Sequence, residues 1–202
     1  MRELSRRGPD ALSLPGPDLL GVEAAVAILL RPARRGWEVL LCRRAERPGD
    51  PWSGHISLPG GRVEPGDEDA VATARRETIE EVALDPLAGG RLIGSFGPIA
   101  GAGAAARRTS LGVAVFAVGS EAAAGVSDEI VESWWVPCDE LRTVQTPIPS
   151  LGAHRPAFVL VSPEGRAAIV WGLTYHVLGV LESLAAGTRA GAAEGPPERP
   201  AS

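Results

Sequence analysis

The sequence predicts an α/β protein, an α/β/α sandwich in which helices cover both faces of a mixed β-sheet. Short runs of β-branched and aliphatic residues, bounded by glycine and proline, recur along most of the chain and are typical of strands. Apolar residues at helical spacing mark two longer segments, 67–82 and 172–184. The resulting order, β-β-β-α-β-β-β-β-β-α, favours two helix layers packed around one sheet.

Eight strands are predicted from these runs. In chain order they are Val22–Leu30, Trp37–Arg43, His55–Leu58, Arg91–Ile99, Ser110–Val118, Ile130–Val136, Phe158–Val161 and Ala167–Val170. The first two form an antiparallel hairpin whose tip lies at residues 34–36. The last two pair across residues 162–165, a Ser-Pro-Glu-Gly sequence that favours a turn.

The segment Asp67–Val82 is the clearest helix. Acidic residues crowd its start, where the helix dipole favours negative charge. The residues expected on its core face are Val71, Ala74, Thr78 and Val82. A second amphipathic helix is predicted over Gly172–Leu184.

The length of 202 residues suits one domain of ordinary size. We expect residues 1–20 to be a flexible lead-in, residues 21–186 to form the domain and residues 187–202 to be a disordered tail. No apolar segment reaches the roughly 18 residues of a membrane span, and the first residues lack the apolar stretch of a secretory signal. We therefore expect a cytoplasmic protein that does not contact a membrane.

All 20 basic residues are arginine, which excludes Schiff-base chemistry, a Walker-type phosphate lysine and a lysine general base. The net charge of −5 argues against a nucleic-acid polymer as partner, although local arginines and bridging metal ions could still bind a small polyanion. Cys42 and Cys138 form no metal-ligand pattern and are expected to be buried free thiols. The sequence leaves open whether the protein is a monomer or a homodimer.

Three carboxylates, Glu77, Glu80 and Glu81, fall on one side of the predicted helix, where like charges repel. A divalent cation would offset this repulsion, and Mg²⁺ prefers oxygen ligands of this kind. The Pro-Gly-Gly turn at 59–61 adds the Gly61 carbonyl, because without a Cβ the backbone can approach a cation closely. Arg76 can brace one of the glutamates from the side.

These residues resemble the Nudix hydrolase family, whose signature is GX5EX7REUXEEXGU, where U is a bulky aliphatic residue. RETIEEVAL, at 76–84, matches its second half. Thr78 stands where an aliphatic residue is expected, and Ala83 where glycine is usual. The first half is one residue too long. The early acidic position therefore falls on Glu68 when counted from Arg76, and on Asp67 when counted from the glycine.

The longer loop resembles the coenzyme A pyrophosphatase branch of the family. PGGRVEPGD at 59–67 is similar to that branch's PGG-x-x-D/E-x-x-D. Upstream, LLCRRAERPGDPWSGHISLPGG at 40–61 resembles LLTxRSxxxxxHxGQVxFPGG, with His55 in place of the glutamine. IVWGLT at 169–174 resembles the IWGxT that opens the last helix of that branch.

The resemblance implies a Nudix fold and a hydrolase that cleaves the pyrophosphate linkage of a nucleoside diphosphate derivative, with coenzyme A or acyl-CoA as the best substrate guess. It implies Mg²⁺ or Mn²⁺ as cofactor, held by Glu77, Glu80, Glu81 and Gly61, with Arg76, Glu80 and Glu81 as the catalytic set. Two alternatives stay open. One is another Nudix substrate, such as ADP-ribose, a nucleotide sugar or an oxidised nucleotide. The other is a binding or regulatory module without catalysis.

Further residues are assigned around this core of the site. Arg43, Arg44 and Arg62 are candidate phosphate contacts, although an ordinary strand-end charge explains Arg43 and Arg44 as well. Glu129, which precedes a strand, is a candidate extra metal ligand or base, and the sequence does not decide which carboxylate accepts the proton of the attacking water. His55 is interpreted as a packing residue rather than a catalytic one.

Overall fold

The structure is a computed structural model and describes residues 1–9, 12, 14, 16, 19, 21–34, 36–50, 52–100 and 110–187. Over these residues the chain forms α-helices and β-strands in two sheets. The helices are α1 (Arg2–Arg7), α2 (Ala70–Val82) and α3 (Gly172–Ala185). The strands are β1 (Ala24–Ala33), β2 (Gly36–Arg44), β3 (Ile56–Ser57), β4 (Gly60–Arg62), β5 (Arg91–Ala100), β6 (Ser110–Ala117), β7 (Ile130–Pro137), β8 (Thr143–Ile148), β9 (Ala153–Val161) and β10 (Ala167–Val170).

Seven strands form a mixed sheet with the order β3-β2-β1-β6-β5, in which β4 also pairs with β1 and β7 with β2. The β1–β6 pair is parallel, and the predicted β1–β2 hairpin is antiparallel over Leu30–Ala33. Before Leu30, β1 pairs with β4, while the end of β2 pairs with β3. The sheet therefore opens between β1 and β2, and the short strands of the 56–62 segment fill the opening.

Helices cover both faces of this sheet. One face packs against α2, through Ala74 and Val82. The other packs against α3, through Leu178 and Leu181. The predicted α/β/α sandwich with a mixed sheet is confirmed, and the two cysteines are free and buried, as expected.

A second, antiparallel sheet has the order β10-β9-β8. Its β9–β10 pair confirms the predicted hairpin, in which the Gly165 N–H donates to the Ser162 carbonyl at 2.8 Å. β8 and β4 were not predicted. β8 is largely exposed and contains polar residues and Pro147, so its sequence lacks the apolar alternation of a strand. β4 consists of two glycines and an arginine, and only its pairing with β1 makes it a strand.

The expectation that residues 1–20 form a flexible lead-in is wrong for their first part. Arg2–Arg7 form α1, whose Leu4 is fully buried in the core beneath α3. The Glu182 carboxylate of α3 accepts the backbone N–H groups of Glu3 at 3.0 Å and Leu4 at 3.3 Å. Further on, Leu19 is also buried. A six-residue helix with one core residue is too short to show helical periodicity in the sequence.

Of the predicted disordered tail, 187–202, residues 188–202 lie outside the described residues. None of the helices that the structure describes is long and apolar enough to cross a membrane.

Replacing Leu4 with alanine tests the docking of α1. We expect Leu4→Ala to lower the free energy of unfolding by about 2–5 kcal/mol, because it opens a cavity in the core. Urea denaturation measures the change. The control is Arg6→Ala, on the same helix, whose side chain is 79% exposed and whose loss should change stability by less than about 0.5 kcal/mol. Equal stabilities for the two variants would contradict the docked helix.

Candidate active site

The glycine turn, residues 59–61, leads into β4 and is fixed to β1. Gly60 pairs with Val26 in the sheet, and the Ala27 N–H donates to the Pro59 carbonyl at 2.8 Å. A Cβ on Gly60 would collide with the Ala25 carbonyl oxygen and with Val26. Glycine is therefore required here, since only a residue without a side chain lets the turn lie directly on β1.

Helix α2 begins at Ala70, three residues after the predicted start. Asp69 is its N-cap, and its carboxylate accepts the Ala72 N–H at 2.7 Å. Asp67, the predicted first residue, lies in the turn before the helix, where its N–H donates to the Glu64 carbonyl at 2.9 Å. Side-chain capping by Asp69 explains where the helix starts.

The structure explains the two substituted positions of the family signature. Thr78 is fully buried at its aliphatic position, and its hydroxyl is satisfied because it donates to the Ala74 carbonyl at 2.6 Å. Ala83, at the usual glycine position, ends α2 in the left-handed conformation with φ 53° and ψ 30°. This backbone favours glycine, so the signature glycine serves the helix end, and alanine adopts it here at a cost of roughly 1–2 kcal/mol.

Glu81 is a buried carboxylate in contact with the glycine turn. It is 5% exposed, and its Oε2 accepts the Gly60 N–H at 3.0 Å. Burial raises the pKa of Glu81 to about 7, and the negative charges of Glu77 and Glu129 act in the same direction. The hydrogen bond from Gly60 and the charge of Arg44 oppose this shift.

Glu77 and Glu80 lie on the same side of α2 as Glu81. The Glu77 carboxylate occupies the space that a Cβ on Gly61 would fill, so the helix and the turn are in direct contact here. Burial raises the pKa of Glu77; the charges of Glu80 and Glu129 add to this, while Arg76 opposes it. The side chain of Glu80 is 56% exposed. The three glutamates thus lie together, and their exposure increases from Glu81 through Glu77 to Glu80.

Arg76 holds this cluster together. Its Nη1 donates to Glu77 Oε1 at 3.0 Å and to Glu80 Oε2 at 3.1 Å. Its Nη2 donates to the Arg62 carbonyl at 3.0 Å. The guanidinium therefore links the glutamates of α2 to the end of β4.

Asp67 holds Arg76 from the other side. Its two oxygens accept Arg76 Nε and Nη2, each at 3.0 Å, and Oδ2 also accepts the Thr73 hydroxyl at 2.8 Å. The Arg76 guanidinium holds the pKa of Asp67 well below its usual value. Glu68 is exposed. The early acidic position that the sequence left open therefore belongs to Asp67, and the additional residue lies between Asp67 and Arg76.

The three candidate arginines lie in different places. Arg44 is close enough to Glu81 for its charge to lower the pKa of that carboxyl, and its Nη2 donates to Asp50 at 3.3 Å. Arg62 is exposed at the end of β4. Arg43 is turned to the opposite face of the sheet, where its Nε donates to Glu132 Oε2 at 2.8 Å. The assignment of Arg43 to this site is corrected, because successive residues of a strand point to opposite faces.

Glu129 lies near the carboxylate cluster, since its charge raises the pKa of both Glu77 and Glu81. Its side chain is 53% exposed and forms an ion pair with Arg47 at 3.6 Å. The sequence did not indicate Arg47, whose interaction with this loop depends on tertiary structure.

The donor set suits a hard divalent cation, because Glu77, Glu80, Glu81 and the Gly61 carbonyl offer only oxygen. The missing Cβ at Gly61 leaves the Glu77 carboxylate against the backbone, where a shared ion could lie between them. In the described part of the chain no three His, Cys, Asp or Glu side chains already form a metal-ligand group. Arg76 instead bonds Glu77 and Glu80, which would have to give up these bonds to the ion.

The fold and this site define a class of protein. The NUDIX domain model matches residues 21–156, about two thirds of the chain. The chain belongs to the Nudix family, as its signature predicted.

Shorter stretches match curated proteins. A stretch of 61 residues is 41% identical to the mitochondrial coenzyme A diphosphatase NUDT8 of Homo sapiens, covering 30% of this chain and 26% of that protein. Another, of 64 residues, is 44% identical to the mitochondrial Nudix hydrolase 15 of Arabidopsis thaliana, covering 31% of this chain and 22% of that protein. The chain thus matches about a quarter of the length of each relative.

Solved structures of the family are also similar to this chain. The Nudix hydrolase RenU of M. smegmatis has a TM-score of 0.49 and 24% identity, covering 59% of this chain and 73% of that one. An Ap4A hydrolase of C. elegans has a TM-score of 0.46 and 23% identity, covering 56% and 78%.

Replacing Asp67 with asparagine tests the bracing of Arg76. We expect Asp67→Asn to lower the free energy of unfolding at pH 7 by roughly 1.5–3 kcal/mol, because the charged hydrogen bonds are lost. The folded pKa of Asp67 is depressed, so its stabilisation is present above the unfolded value near pH 4 and is lost as the pH falls through the folded value. Urea denaturation from pH 7 to pH 2 should show the two proteins converging at low pH. Glu68→Gln, one residue along, is the control and should match the wild type.

A pH series of the metal-free protein tests the burial of Glu81. Its folded pKa, about 7, lies above the unfolded value, so the folded state holds a proton that the unfolded state releases. The contribution of Glu81 to stability should therefore be greatest below about pH 4 and fall, on the order of 3 kcal/mol in total, as the pH rises to 7. Urea denaturation of the wild type and of Glu81→Gln in a chelator should show this fall as the difference between the two proteins. An unchanged slope in the variant would contradict the shift.

Proposed function

We propose that this protein is a metal-dependent Nudix hydrolase that cleaves the pyrophosphate linkage of a nucleoside diphosphate derivative. The observation that supports it most is the cluster of Glu77, Glu80 and Glu81 beside the glycine turn, braced through Arg76. A module that only binds a ligand does not need three clustered carboxylates held in place by Arg76. Membership of the Nudix family is consistent with this role.

In this proposal Glu77, Glu80, Glu81 and the Gly61 carbonyl hold Mg²⁺ or Mn²⁺. The bound ion neutralises phosphate charge and lowers the pKa of water. Arg76, itself fixed by Asp67, keeps the ends of Glu77 and Glu80 near the turn.

The other roles are divided by exposure and charge. Glu80 and Glu129, each about half exposed, can reach a water molecule and are the candidates that accept its proton, whereas Glu81 is buried. We assign the binding of a substrate phosphate to Arg44, whose charge acts on Glu81. Arg62 is exposed beside the turn and can join it.

Coenzyme A or an acyl derivative is the proposed substrate. The segment 40–61 resembles the corresponding element of the coenzyme A pyrophosphatase branch, and a local stretch of the chain is 41% identical to a coenzyme A diphosphatase. Hydrolysis would give an adenosine bisphosphate and a phosphopantetheine-type product.

A substrate panel tests both the reaction and the substrate. Coenzyme A, ADP-ribose, NADH and dinucleoside polyphosphates are each incubated with the protein, with and without Mg²⁺ or Mn²⁺, and products are separated by chromatography. Cleavage of coenzyme A above the others supports the proposal. Cleavage of another compound keeps the reaction and replaces the substrate. Tight binding without cleavage would favour the non-catalytic module.

The variant Glu81→Gln tests the role of the carboxylates. We expect it to lower kcat by about 10²–10⁴-fold on whichever substrate is cleaved, because the amide is neutral and cannot take the place of a carboxylate ligand. Initial rates at saturating Mg²⁺ measure the effect. Glu68→Gln, which removes an exposed carboxylate just before the helix, is the matched control and should retain full activity. Comparable rates for Glu81→Gln and the control would rule out the assignment.

A further inference from the structure

Three aromatic rings lie next to one another at the open end of the sheet. The ring centroids of Trp52 and His55 are 5.8 Å apart in an edge-on arrangement, and those of His55 and Trp171 are 5.2 Å apart. Trp52 is 54% exposed, whereas the other four tryptophans are half-buried or buried. An indole this open to water leaves apolar area that another flat ring could cover.

The loop that carries Trp52 is held by its own hydrogen bonds. The Trp52 N–H donates to Asp50 Oδ1 at 2.9 Å, and the His55 N–H donates to the Trp52 carbonyl at 3.1 Å. The Ser53 hydroxyl accepts the Arg47 N–H at 2.6 Å. These hydrogen bonds hold the backbone that carries the indole. The entropy cost of ordering this backbone when a ligand covers the ring is therefore small.

Arg44 connects these rings to the carboxylate cluster. Its backbone N–H donates to the His55 carbonyl at 3.0 Å. Its charge acts on both His55 and Glu81, lowering the pKa of each. Within the described residues its Nε is buried and has no hydrogen-bond partner. Arg44 thus bonds the ring cluster through its backbone and influences Glu81 through its charge.

His55 serves here as a neutral ring. Burial, with a smaller contribution from Arg44, lowers the pKa of its imidazole, while Asp50 opposes the shift. A neutral imidazole packs between two indoles without the desolvation cost of a cation. This agrees with the interpretation of His55 as a packing residue, and its ring packs against that of Trp52.

We propose that Trp52, backed by His55 and Trp171, is the stacking site for the base of the nucleotide half of the substrate. The inference deepens the proposed function and rests on it. In this proposal the rings take the base, Arg44, which is bonded to His55, takes the phosphate next to it, and the carboxylates lie beyond. A flexible aliphatic arm, such as that of phosphopantetheine, has no flat ring to stack on an indole.

Paired probes that lack a pyrophosphate linkage test this site without turnover. AMP and ribose 5-phosphate carry the same sugar phosphate, and only AMP has a base. With Mg²⁺ present, isothermal titration calorimetry should show that the wild type binds AMP about tenfold more tightly than ribose 5-phosphate. Trp52→Ala should lose about tenfold in AMP affinity and nothing in ribose 5-phosphate affinity. Trp52→Phe, which keeps a flat ring, should retain most of the AMP affinity.

The control is Val161→Ala, on β9 of the second sheet, because Val161 is 71% exposed and its truncation should not affect either probe. AMP affinity that Trp52→Ala leaves unchanged would overturn the proposal. An equal loss for both probes would also overturn it, because this indicates a disturbed loop rather than a lost stack. The coenzyme A panel separates the two proposals. If coenzyme A is cleaved but Trp52→Ala does not change the AMP affinity, the stacking site is wrong and the hydrolase stands. If AMP binding depends on Trp52 but nothing is cleaved, the hydrolase is wrong and the stacking site stands.

Discussion

The site depends on one interaction, the hold of the Arg76 guanidinium on the carboxylates around it. Glutamates at neighbouring positions of a helix face repel one another. The planar guanidinium of Arg76 offsets this repulsion, because its N–H groups donate to Glu77, Glu80 and Asp67 at the same time. An ammonium group, as a compact point charge, could not satisfy carboxylates in so many directions. The same guanidinium bonds the Arg62 carbonyl and so closes the glycine turn onto the helix.

The local part of this arrangement could be predicted from the sequence. Spacing alone places Glu77, Glu80 and Glu81 on one side of a helix, since positions three and four apart are neighbours. It also places Arg76 within reach of Glu80. The two helix layers and most strands follow equally from periodicity. The choice between Asp67 and Glu68 does not, because counting along a loop of unusual length cannot say which carboxylate meets Arg76.

The remaining features depend on tertiary packing. Arg43 and Arg44 are adjacent in one strand, and only the position of α2 decides which of the two faces the carboxylates. α1 exists because Glu182 caps its first N–H groups and the core accepts Leu4. The chain around Trp52 carries no periodic pattern, so the contact of its ring with His55 appears only in three dimensions.

Burial of Glu81 explains how a cluster of like charges can persist whether or not a cation is bound. A carboxylate with so little exposure and a pKa near 7 holds a proton for much of the neutral range when no cation is present. A metal ion bound here would take the place of that proton, since ligands must lose their protons to coordinate. Either the proton or the ion would keep the repulsion with Glu77 small, and Glu77 and Glu80 would exchange their bonds to Arg76 for bonds to the ion. The burial that makes Glu81 unfavourable to ionise therefore also makes it a position at which a cation could replace the proton.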